Sequence, residues 1–175
     1  MGSNSVADGA SASGQFTFER TLDAPRDLVW KMWTVGEHLA QWWGPKGCKL
    51  HVEKADVRPG GTFHYAMRFS NGAEMWGLIA YQEVEAPSRL AYVSSFSNPG
   101  GEVVRAPFSQ DFPLRVLNVM TFVDRSGGTR VTLTGKPLEA SPVELAKYVE
   151  MFGSMEKGFG GTFEQLETYL VGLGR

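Results

Sequence analysis

The chain has one cysteine, three histidines and no run of Lys or Arg, and each shortage removes a class of function. A lone thiol, Cys48, forms no internal disulfide, which sets aside the cross-linked secreted scaffolds and suits a reducing, cytoplasmic setting. His38, His51 and His64 are scattered, and Cys48 with His51 is too small a set for a structural zinc site. Net charge is −2, and nothing basic is placed to follow a phosphate backbone, so nucleic acid is not expected as a partner. No apolar stretch reaches the roughly 20 residues of a membrane helix. No Gly-rich phosphate loop joins a strand to a helix, and no Gly-x-Ser-x-Gly elbow occurs. Glu83 and Glu85 share the end of a strand, where solvation explains them. No catalytic residue, metal or cofactor is assigned.

What remains is an ordinary globular composition. Over 175 residues, 42% are hydrophobic and 21% charged, enough for one core. Met1 to Gln15 is rich in Ser, Gly and Ala and lacks the basic and apolar regions of a secretory signal, so it is expected to be a disordered tail. A single domain is expected over 16–173.

Phe16 to Leu22 alternates as a half-buried strand does. Asp23-Ala-Pro25-Arg-Asp27 opens a helix, with Pro25 in its first turn and Leu28, Val29, Met32 and Trp33 on one face. A second short helix over 36–43 carries Leu39, Trp42 and Trp43 and stops at Gly44-Pro45. Strands are then expected over 49–57, 62–69, 74–85, 89–97, 115–124 and 129–137. Their turns are Arg58-Pro-Gly-Gly61, Ser70-Asn-Gly72, Ala86-Pro87-Ser88 and Ser126-Gly-Gly128. Between 98 and 114 lies a long Pro- and Gly-rich loop holding Phe108 and Phe112.

Ser141-Pro-Val-Glu144 predicts a capped helix start. Val149, Phe152, Met155, Phe159, Phe163, Leu166, Leu170 and Leu173 continue it as a stripe at steps of three or four. Gly153, Gly158, Gly160 and Gly161 interrupt that stripe, each unfavourable by about 0.8–1.0 kcal/mol against Ala. Either the helix breaks near Gly153–Ser154, or something approaches its backbone closely. The order predicts an α+β fold: a curved six- to seven-stranded antiparallel sheet wrapped around a long C-terminal helix, with two short helices after the first strand.

Ala24-Pro25 followed by Val29-Trp30, Trp42-Trp43-Gly44-Pro45 and Asp56-Val-Arg58-Pro-Gly60-Gly61 are a recognisable set. Gly127-Gly-Thr129-Arg130 and Ser154-Met155 through Gly158-Phe159-Gly160-Gly161-Thr162 extend it. Together they resemble the START-related superfamily (SRPBCC, helix-grip) of lipid-transfer, polyketide-cyclase and pollen-allergen-like domains. The branch they most resemble is the bacterial one similar to the C-terminal domain of the activator of heat shock protein 90 ATPase. Phe159 stands where relatives usually carry Trp. The resemblance implies a helix-grip fold with a cavity between sheet and helix, and a family that binds hydrophobic or amphipathic small molecules, with occasional enzymes.

The candidate cavity lining is Phe63, Tyr65, Met67, Trp76, Tyr92, Phe96, Met120 and Phe122 from the strands. Phe152, Met155 and Phe159 join it from the helix, Asn118 as a polar member, and Trp42, Phe108 and Phe112 near an entrance. Ser94 is a further polar group expected to point inward, whereas His64 is expected on the outer face and Trp43 packed on the rim. Three functions fit these residues. The first is a binding or carrier domain for a hydrophobic or amphipathic small molecule. The second is a cyclase- or hydratase-type enzyme, which needs two titratable groups in the pocket. The third, less favoured, is an interaction module stimulating a chaperone ATPase. Monomer and homodimer both remain open.

Overall fold

Local alternation builds the first element. In the computed structural model, which describes residues 14–173, β1 (Phe16–Leu22) buries Phe16, Phe18 and Leu22 and exposes Thr17 and Glu19. The tail expected over 1–15 lies almost wholly outside the described residues. Two helices follow, α1 (Arg26–Thr34) and α2 (Gly36–Trp42). Pro25 caps α1 from just outside it rather than occupying its first turn, and Asp27 sits at the positive end of the dipole. The buried face of α1 is Val29, Trp30, Met32 and Trp33.

The sheet comprises β1 with β2 (Cys48–Ala55), β3 (Thr62–Phe69), β4 (Glu74–Glu85), β5 (Arg89–Ser97), β6 (Val103–Val104), β7 (Val116–Arg125) and β8 (Gly128–Pro137). Its order is β1-β8-β7-β5-β4-β3-β2, with β6 paired to the end of β5, and the pairings are antiparallel. The additional strand, β6, falls in the stretch read as loop. Two residues paired to Phe96 and Ser97 carry too little pattern to be seen in sequence. Register shifts between Val52 and Lys54 and between Tyr81 and Glu83 mark bulges, which bend strands and increase twist. Asp56 and Arg58 pin the turn into β3, the guanidinium donating to both carboxylate oxygens at 3.0 and 2.9 Å.

The concave face is covered by α1 and by the C-terminal helical segment. That segment is two helices, α3 (Pro142–Glu150) and α4 (Phe152–Gly172), meeting at Met151. The capping box is complete: Glu144 N–H donates to the Ser141 hydroxyl, and the Ser141 N–H to the Glu144 carboxylate. Only the second half of α4 is sunk into the core, through Thr162, Phe163, Leu166 and Leu170. Full burial of a Phe or Leu is worth about 1.5–3 kcal/mol, so that end is the anchor. Among the described residues no helix is long and apolar enough to cross a membrane.

The helix breaks close to the place expected. The break lies at Met151, two residues before Gly153. A methyl group added at Gly153, Gly158 or Gly161 would meet nothing within 4 Å. Close packing against the sheet therefore does not explain these glycines. Gly153 and Gly158 are exposed, while the first half of α4 rests on β1 through Phe152 and Phe159, whose rings pack on Phe16 and Phe18.

Candidate ligand cavity

Between α4 and strands β3, β4, β5 and β7 the concave face is left hollow. The space is about 390 Å³, within the usual range for small-molecule sites. Its walls are set by strand register. Paired residues share a face, so Tyr65 opposes Gly77, Ile79 opposes Ser94, and Tyr92 opposes Asn118, which in turn opposes Gly135. Gly77 lets the Tyr65 ring lie flat across the strand, since a Cβ there would come within 2.5 Å of the ring and its hydroxyl. Met67 and Met75 extend this wall, and Trp43, Gly44 and Pro45 close the end next to α2.

The roof is Tyr148 of α3 with Met155, Phe159 and Thr162 of α4. Ser154 and Gly158 of α4, together with Phe108 of the 105–114 loop, are the exposed members of the lining and form its mouth. The loop is fixed by an aromatic triad, with Phe96, Phe108 and Phe112 rings 5.3 to 6.1 Å apart. It is also tied to α3, because Arg105 donates to the Glu144 carboxylate at 2.8 Å and to the Phe112 carbonyl at 3.3 Å. That guanidinium is the main reason the Glu144 carboxyl lies below the usual carboxylate range.

Nine of the fifteen residues expected around the cavity stand there: Tyr65, Met67, Tyr92, Phe96, Phe108, Phe112, Asn118, Met155 and Phe159. Six lie elsewhere. Trp76 is on the opposite face, because alternation turns Met75 and Gly77 inward. Its ring packs on His64 at 4.9 Å and its indole N–H donates to Glu74. Trp42 is buried beneath the rim, donating to the Met32 carbonyl at 3.1 Å, and its neighbour Trp43 takes the cavity position expected of it. Phe63 is buried under Trp43 and stacked on Tyr65, with ring centroids 4.7 Å apart. Phe122 packs against Trp30 and Trp33, Met120 lies under the Tyr92 hydroxyl, and Phe152 is wedged between Phe16 and Tyr148.

Tyr148 was not foreseen, although the signal existed. It precedes Phe152 by four residues and joins the same stripe as Met155 and Phe159, a place given in sequence to Val149. Tyr148 is 1% exposed, whereas Val149 is only half-buried. His64 faces outward as expected but is buried there, its Nε2 within 3.1 Å of the Ser97 hydroxyl and 3.2 Å of the Asn98 carbonyl.

Chemically the lining is neutral. It contains no Asp, Glu, His, Lys or Arg, and its polar side chains are hydroxyls, an indole and the Asn118 amide. Burial pushes the Tyr65, Tyr92 and Tyr148 phenols up, so all three stay protonated near neutral pH. Burial also raises the Cys48 thiol, away from the thiolate form that reacts or ligates. Among the described residues no group of three or more His, Cys, Asp or Glu is placed to hold a metal ion.

Residues 23–171 match the family described as Activator of Hsp90 ATPase homolog 1-like protein. The chain belongs to this family. Its members are ligand-binding or activator domains. Solved structures carry the same fold over nearly the whole chain. A crystal structure of a Mycobacterium smegmatis protein is 26% identical with a TM-score of 0.74, covering 91% of this chain and 91% of its own. One from Nitrosomonas europaea is 28% identical with a TM-score of 0.67, covering 89% and 93%. A solution structure from Arthrobacter aurescens, 24% identical with a TM-score of 0.73 over 90% and 86%, shows the fold alone. No curated protein matches the chain.

Proposed function

We propose that this member of the family binds or carries a hydrophobic or amphipathic small molecule between the sheet and α4. The observation that carries the reading is the hollow of about 390 Å³ with an aromatic and methionine lining. Apolar area removed from water there is worth about 25 cal/mol per Å², and Met side chains adapt to varied shapes.

The lining supports binding over acid–base chemistry. A cyclase or hydratase needs two groups that exchange protons near neutral pH, and the only titratable members here are phenols driven away from that range. The activator activity in the family's description belongs to the protein so described. For this chain it is the competing reading, tested by stimulation of a purified ATPase.

Native mass spectrometry of protein purified from cells, with a thermal-shift screen of lipids, sterols and aromatic polyketides, tests the proposal. A bound guest at a hundredfold its Kd adds about 2.7 kcal/mol to stability. Failure of every class to shift the melting point or appear as an adduct would sink the carrier reading.

A further inference from the structure

We infer that the cavity selects an uncharged guest bearing a hydroxyl group, an alcohol or phenol on an apolar body; the inference rests on the binding function proposed above. One end of the cavity holds a matched donor and acceptor. Asn118 on β7 donates through Nδ2 to the Val116 carbonyl at 3.0 Å and to the Ser94 hydroxyl oxygen at 2.8 Å. The carbonyl contact fixes which way the amide points. Its oxygen, on a residue only 6% exposed, has no partner among the described residues. Ser94, already accepting from Asn118, has its own O–H free, and no protein acceptor takes it among the described residues.

A hydroxyl is the group that answers both, accepting from Ser94 and donating to Asn118 Oδ1. A ketone or aldehyde would satisfy Ser94 and leave the amide oxygen unmet, and a hydrocarbon would satisfy neither. Tyr148, whose hydroxyl is also without a partner among the described residues, flanks the same spot. A Cβ at Gly135 would lie 2.6 Å from that hydroxyl and 3.3 Å from Asn118 Oδ1. Asn118, Ser94 and Tyr148 thus form one polar pole; Trp43 Nε1 is a further lining donor without a partner among the described residues, and Phe96, Met67, Met75, Met155 and Phe159 are among the apolar members of the same lining. A carboxylate or phosphate would lose its hydration with no cation in the lining to replace it.

Isothermal titration of the intact protein at neutral pH with perillyl alcohol, limonene and perillate tests this, since the three share one carbon skeleton. The alcohol is expected to bind about 3- to 10-fold more tightly than limonene, the range of one net hydrogen bond, and perillate most weakly. Ser94→Ala is expected to shrink the advantage of the alcohol over limonene, because of the two bonds only the one to Asn118 Oδ1 remains. Equal binding of alcohol and limonene by the wild type, or tightest binding of perillate, overturns the hydroxyl inference while leaving the carrier function standing. If none of the three binds, the hydroxyl inference falls, and the carrier reading is decided by the broader screen above. Should Ser94→Ala fail to fold, the wild-type ranking decides alone.

Discussion

Gly77 and Gly135 are the positions where the lack of a side chain shapes the cavity wall. A methyl at Gly135 would press on the Tyr148 hydroxyl, whose ring is held by Phe112 and Phe152. Gly135→Ala is therefore expected to destabilise the protein by about 1–3 kcal/mol, as overpacking does. Adding Tyr148→Phe should recover most of that loss in urea melts, because the atom nearest the new methyl is the hydroxyl. At Gly77 the outcome differs. Ring carbons of Tyr65 lie as close as its hydroxyl to the added Cβ, so Gly77→Ala should destabilise similarly and Tyr65→Phe should not rescue it. Rescue at Gly77, or none at Gly135, would contradict the packing described.

At the scale of elements, α3 and α4 divide anchor from roof. Ser141→Ala removes the acceptor for the Glu144 N–H and should cost about 1 kcal/mol, read as a lower urea midpoint. The glycines of α4 predict the opposite sign. Gly153 and Gly161 are helical with open space at their Cβ positions, so alanine at each should stabilise by about 0.8–1.0 kcal/mol. The two sites are eight residues apart in sequence, and the gains should add. A destabilised double variant would mean that something packs there after all.

For the whole molecule, the four core tyrosines make stability sensitive to alkali. Burial is the first cause of the raised phenols at Tyr65, Tyr81, Tyr92 and Tyr148. Their pKa values are raised in the folded state, so the contribution is fully present below the unfolded value of about 10 and is lost as pH rises through and beyond it. Each phenol then lowers stability by up to about 1.4 kcal/mol per pH unit. Phenolate absorbance from these residues should appear together with loss of circular dichroism. Phenolate signal from all four in a still-folded protein would show them to be solvated. The architecture that buries them was largely legible in sequence. The turns at Gly72 and Gly127 have positive φ, as their hairpins require, and the Ser141 cap formed as read. The lining was harder to read: Trp76 drew attention as an aromatic in an apolar strand, when the inward residue beside it is Gly77.

The amino-acid order by itself determined the strands, their turns, the capped helix and most of the faces, because each depends on a period or on the chemistry of a few adjacent residues. Only the tertiary structure decided that a hollow exists and which side chains reach it. A void depends on the summed heights of residues brought together from β3, β4, β5 and β7, set against the helix that covers them. Ser94 and Asn118 are 24 residues apart, and no local pattern records that they meet.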